Sequence, residues 1–137
     1  MRVYGIDANA LTRGRRTGVE RYVFSLFTHM MKTPLERDER VFLYTSQLIK
    51  DLPDLPDGWS QQVLEWKPKK AWTHLRLSWE LWKRTPNVFF TPAHEVPFVH
   101  GKGKIVSTVH DVAFRVVPGV YSSAQTRRQE WAIRRAI

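Results

Sequence analysis

Arg2-Val-Tyr-Gly-Ile6 and Val19-Glu-Arg-Tyr-Val-Phe-Ser-Leu-Phe-Thr-His-Met30 read as a strand followed by a helix, and the rest of the chain repeats their alternation. The first segment is short and β-prone. In the second, Val19, Tyr22, Val23, Leu26, Phe27 and Met30 fall at i, i+3, i+4, i+7, i+8 and i+11, the spacing of one apolar helix face. Between them, Thr12 to Gly18 holds too much glycine and arginine for regular structure and reads as a loop. Thr17-Gly-Val-Glu20 has the capping-box form. It places the first free amides of the helix at Gly18 to Glu20, and Pro34 closes the other end.

Working outward, Val41–Tyr44 is a second strand and Gln61–Trp66 a weaker third, after the Pro/Asp-rich loop Asp51–Gly58. Thr73–Arg84 reads as a helix stopped before Pro86. Val88–Thr91 and Lys104–Val109 are strands, the second a near-continuous apolar run of the kind buried on both faces of a parallel sheet. Ser122, with Gln125 as its capping-box partner, opens a last helix expected to be still running at Ile137. This order predicts an α/β domain built on a doubly wound, mostly parallel sheet. Ligands of such sheets bind beyond the carboxyl ends of the strands, so the loops after Ile6, Phe90 and Val109 should share one rim.

Composition bounds the function classes. A chain of 137 residues is one domain, and 42% hydrophobic residues suffice for a core, which excludes disordered and low-complexity readings. The absence of cysteine excludes a disulfide scaffold, Cys-ligated zinc and a thiol nucleophile, and it fits a reducing compartment. The opening residues lack the apolar run of a signal peptide, and Tyr22–Met31 is too short to span a bilayer. The expected location is the cytoplasm. A net charge of +9 points to anionic partners: nucleic acid, acidic lipid headgroups or a phosphorylated metabolite.

Three segments that carry chemistry converge on the expected rim. Arg13, Arg15 and Arg16 precede a helix N-terminus, where free amides and the helix dipole favour an anion, and Gly18 permits close approach to the backbone; a solvated basic loop before a capped helix is the plainer reading. His110-Asp111 follows the apolar strand directly, where an imidazole can hydrogen-bond a hydroxyl or move a proton near neutral pH. A lone histidine at a strand end is also commonly structural. His94-Glu95 does not make a zinc-protease site, because the next histidine is His100 and Pro97 breaks the helix such a motif needs. Gly5, Gly14 and Gly18 lack dinucleotide-binding spacing, and neither a P-loop nor a G-x-S-x-G elbow occurs.

Trp72, Leu75, Trp79 and Trp82 form an aromatic stripe at helical spacing, surrounded by Lys69, Lys70, Arg76, Lys83 and Arg84. Two readings compete. A doubly wound sheet must be covered on both sides, which favours a helix that lays its Trp face on the sheet. The other is a basic amphipathic helix in peripheral contact with an anionic membrane.

Four segments together carry a family resemblance: Arg16-Thr-Gly-Val-Glu-Arg-Tyr22 after a strand ending in Gly-Ile-Asp-Ala, Trp79-Glu80 in a middle helix, Val88-Phe-Phe-Thr-Pro92 with His94, and Val106-Ser-Thr-Val-His-Asp-Val112. In this order the chain resembles the N-terminal, Rossmann-like domain of GT-B glycosyltransferases of the family 4 type. The resemblance implies retaining transfer of a sugar from a nucleotide-sugar donor to a polysaccharide or glycolipid acceptor, with neither a cofactor nor a catalytic metal. It sets Thr17 and Gly18 near the donor diphosphate and His110, beside Asp111, against the transferred sugar. Arg13, Arg16, Arg21 and His94 become the candidates for holding the acceptor. In the family the nucleotide is held by a C-terminal domain with a Lys and a Glu-x7-Glu element, which these residues do not contain. The expectation is therefore an N-terminal half, cut within its last helix and inactive alone.

Two other classes compete with it. A nucleic-acid-binding module is disfavoured, because the aromatics sit mostly at core spacing and no zinc-finger, RNP1 or helix-turn-helix pattern is present. An inert α/β domain that binds a phosphorylated ligand through the Arg loop would use the same rim.

Overall fold

The computed structural model describes residues 1–14, 18–67, 70–92, 95–99, 101–117 and 119–136, without the side chains of positions 128, 135 and 136. Five strands, β1 (Arg2–Asp7), β2 (Glu39–Thr45), β3 (Trp59–Val63), β4 (Val88–Thr91) and β5 (Lys104–Ser107), form one sheet in the order β3-β2-β1-β4-β5. Every neighbouring pair is parallel, with Ile6 opposite Leu43 on one side and Phe90 on the other. The chain is thus an α/β domain of Rossmann-like type, as its alternating pattern predicts. Strand order reverses at β1, and the switch point lies above the carboxyl ends of β1 and β4.

Helix α1 (Gly18–Met30) connects β1 to β2 and buries Val23 and Phe27 in a layer with Ile6, Val41, Leu43 and Trp59. Burying one such side chain contributes about 1.5–3 kcal/mol. The β2–β3 connection adds Ile49 to this layer without forming a helix. Because side chains alternate along a strand, Tyr44 and Phe89 point to the opposite face, where they meet Leu64, Trp72, Leu77 and Leu81. Among the described residues, the first layer leaves β4 and β5 partly uncovered. A groove of about 580 Å3 lies there, between Tyr22, Leu26 and Met30 of α1 and Val88, Phe90 and Val106 of the strands.

Three expectations need correction. The third strand is Trp59–Val63 rather than Gln61–Trp66, since Trp59 anchors it in the α1 layer and pairs with Val41, while the polar residues after it hide the pattern. The run Lys104–Val109 is not buried on both faces: β5 stops at Ser107, is the edge of the sheet among the described residues, and leaves Val106 51% exposed. An apolar run reports β-propensity, not the number of neighbouring strands. The third correction concerns Thr73–Arg84. Trp72–Leu77 is π-helical and only Ser78–Lys83 (α2) is α-helical. The wider π turn shifts the buried face to Trp72, Leu77 and Leu81, and turns Trp79 and Trp82 outward, 49% and 65% exposed. Of the Trp stripe, only Trp72 covers the sheet.

After β5 come a short helix that the sequence pattern does not announce, α3 (Ala113–Val116), and α4 (Ser123–Ala136). Phe114 is buried, and Arg115 grips Glu130 of α4 through two hydrogen bonds of 2.8 Å. The α4 capping box forms as expected: the Ser122 amide donates to Gln125 Oε1 at 2.8 Å and the Gln125 amide to Ser122 Oγ at 3.3 Å. The α1 capping residue Thr17 and the chain end Ile137 lie outside the described residues. Among the described residues, no helix is long and apolar enough to cross a membrane.

Candidate functional site

β1, β4 and β5 end on one rim, as parallel strands of one sheet must. Thr91, fully buried at the end of β4, accepts the Thr108 amide at 3.0 Å through its carbonyl, which draws the loop after β5 toward the loop after β4. His110 strengthens this join. Its Nε2 donates to the Pro92 carbonyl at 2.7 Å, a bond that requires the proton on Nε2. Its ring also meets Tyr22 of α1 edge-on, with centroids 5.1 Å apart and planes at 89°. Tyr22 Oη lies 3.2 Å from Thr108 Oγ1. Because Tyr22 is four residues after Gly18 on the same helix, these contacts tie the loops after β4 and β5 to the flank of α1 that begins at Gly18.

Gly18 itself opens α1, and among the described residues no atom beyond its own chain neighbours and helix backbone lies within 4 Å of where a Cβ would sit. Glu20, in the first turn, is buried, and Arg13 Nη1 pairs with its Oε1 at 3.1 Å. Arg13 thus pairs with a buried carboxylate, which offsets part of its charge toward an incoming anion. Arg21, exposed on the first turn, keeps its place beside the helix start. Asp111 is exposed, and its Oδ1 accepts the Ala113 amide at 3.0 Å, an Asx turn that leads into α3. Arg16, Thr17 and His94 lie outside the described residues, as does Arg15.

The structure adds two rim residues that sequence reasoning passed over. Tyr22 fits the apolar face of α1 by spacing, yet it is partly exposed and serves the rim. The other is Asp7, which the sequence pattern marks only as the residue ending a strand. It is 7% exposed, its Oδ1 accepts the Asn9 amide at 3.0 Å, and burial pushes its carboxyl up to about 7. Glu95 adds to that rise, while the Asn9 bond and Arg13 oppose it. The available signal was a carboxylate between Ile6 and Ala8 at the end of the central strand. Asn9 in turn accepts the Ser46 amide at 2.9 Å, binding the ends of β1 and β2 together.

The rim therefore combines a histidine ring fixed by two neighbours, a helix start at Gly18, an exposed arginine and a carboxyl that titrates near neutrality. Such a set can hydrogen-bond a polyhydroxylated ligand and balance negative charge at the helix start. Among the described residues, no group of three or more His, Asp or Glu side chains is arranged to hold a metal ion. Comparison with known proteins returns nothing further: no family model, no curated protein and no solved structure matches the chain.

Proposed function

We propose that this chain is the acceptor-side domain of a retaining glycosyltransferase of GT-B type, moving a sugar from a nucleotide-sugar donor to a polysaccharide or lipid-linked acceptor. One observation supports the reading most: His110 bridges Pro92 and Tyr22, so three of the four segments that carry the family resemblance meet at one point of the rim. On this reading the His110 ring touches the transferred sugar, the amides from Gly18 onward face the donor diphosphate, and Arg21 with Arg16 and His94 holds the acceptor. Arg13 acts one step removed, by keeping Glu20 paired and the start of α1 in place. A nucleotide-binding domain facing the rim supplies the other wall of the cleft.

The test joins this domain to a GT-B nucleotide-binding domain in one polypeptide. A panel of UDP-, GDP- and ADP-sugars is offered with an extract of membrane glycolipids, and released nucleoside diphosphate and glycosylated product are both measured. Transfer that is lost with His110→Ala supports the proposal. Transfer indifferent to His110→Ala overturns the site, and the absence of transfer or hydrolysis with every donor overturns the class.

A further inference from the structure

The π-helical turn at Trp72–Leu77 has a consequence on the outer surface. Leu77 and Leu81 already cover the sheet, so nothing in the fold requires large apolar side chains on the opposite side of this segment. Yet Leu75, Trp79 and Trp82 stand exposed there, and Phe98 and Val99 of the β4–β5 connection extend the patch around a depression of about 390 Å3. The segment that carries most of it is basic in sequence. Positions 67 to 84 hold six basic residues and one acidic one, and that one, Glu80, is buried and paired with Arg76 at 3.0 Å and Arg84 at 3.8 Å. Lys83 Nζ sits 3.9 Å from the centroid of the Trp79 ring and the Arg76 guanidinium 5.0 Å from it.

We propose that this surface docks onto an anionic lipid bilayer, with Trp79 and Trp82 at headgroup depth and Lys83 among the phosphates. Indole rings combine an apolar body with an N–H donor and favour the membrane–water interface, and nearby cations add attraction to acidic headgroups. The charge and the packing argue against other occupants. A second copy of the same face would bring like charges together. Stacking of nucleic-acid bases needs an open ring face, whereas Trp79 already carries cations, and the aliphatic Leu75 and Val99 offer bases little. The inference is independent of the proposed sugar transfer.

The experiment measures sedimentation of the whole chain with vesicles of phosphatidylcholine alone and of phosphatidylcholine mixed equally with phosphatidylglycerol. Binding is expected only to the anionic vesicles, weakening as salt rises. Lys83→Gln should lower the partition coefficient about fivefold, and Trp82→Gln at least as much. Leu48→Gln, at an exposed apolar residue of the β2–β3 connection, should leave it unchanged; circular dichroism confirms that each variant is folded. The proposal is overturned by equal binding to both vesicles, by no binding to either, by Trp82→Gln binding like the wild type, by Leu48→Gln weakening it equally, or by an RNA oligonucleotide that displaces the chain from the vesicles at equal concentration.

Discussion

Trp72 and Leu77 are five residues apart and both lie against the same face of the sheet, Trp72 with its indole N–H donating to the Leu64 carbonyl at 2.9 Å. In an α-helix, residues at this separation point in clearly different directions; in the π turn that joins them they align. This one widened turn sorts six tryptophan and leucine side chains into a core set, Trp72, Leu77 and Leu81, and a surface set, Leu75, Trp79 and Trp82.

The sorting can be measured by denaturant unfolding. Trp72→Ala removes a buried indole together with its hydrogen bond and should cost about 3–5 kcal/mol. Trp79→Ala, half exposed and stacked by Lys83 and Arg76, should cost clearly less, about 1–2 kcal/mol. Equal losses at the two positions would show that the segment is a plain α-helix with its Trp stripe inward.

Asp7 makes stability depend on pH. Its carboxyl rises from 3.8 to about 7 in the folded chain, so between those values the folded state holds a proton that the unfolded state has released. Stability is therefore full below about pH 4 and falls as pH rises to about 7. Asp7→Asn keeps an oxygen for the Asn9 amide and cannot ionise. At pH 8 it should be more stable than the wild type by roughly 2–4 kcal/mol, and the difference should close near pH 4. Parallel melting curves for the two proteins across this range would refute the assignment.

Two glycines should respond oppositely to a side chain. A Cβ at Gly103 would overlap the Pro86 carbonyl oxygen, a backbone atom that cannot swing aside, so Gly103→Ala should cost about 1–3 kcal/mol. Gly18→Leu meets no obstacle among the described residues and should change stability by no more than about 0.5 kcal/mol. In the joined enzyme, however, Gly18→Leu should sharply reduce turnover, because the side chain would occupy the ground the diphosphate needs. Full activity in that variant would remove Gly18 from the site.

For the proposed transfer itself, the isolated domain should show no turnover, since the donor is not positioned against the acceptor oxygen without the nucleotide-binding wall. In the joined enzyme, His110→Ala should lower turnover on the order of 100-fold while costing about 1 kcal/mol of stability for the lost bond to Pro92. Tyr22→Phe keeps the edge contact to His110 and loses only the hydroxyl near Thr108, so it should retain most activity. A Tyr22→Phe loss as large as that of His110→Ala would assign the hydroxyl, rather than the ring contact, to the reaction.

Local pattern was enough for the α/β class, the parallel sheet, the span of α1, the reciprocal Ser122–Gln125 cap and the meeting of the loops after β4 and β5. Each follows from periodicity, a capping pair or strand direction, all of which depend on neighbours a few residues away. The edge position of β5, the outward turn of Trp79 and Trp82, the burial that raises Asp7 and the pairing of Arg13 with Glu20 were not legible in the same way. Each depends on what lies across space from the residue. The sequence around Asp7 shows a carboxylate after an apolar strand, but its proton affinity depends on exclusion of water by neighbouring strands and loops. Spacing of 3 and 4 likewise assumes a uniform α-helix, and one π turn, selected because Trp72, Leu77 and Leu81 then pack together on the sheet, rotates every later side chain to another face.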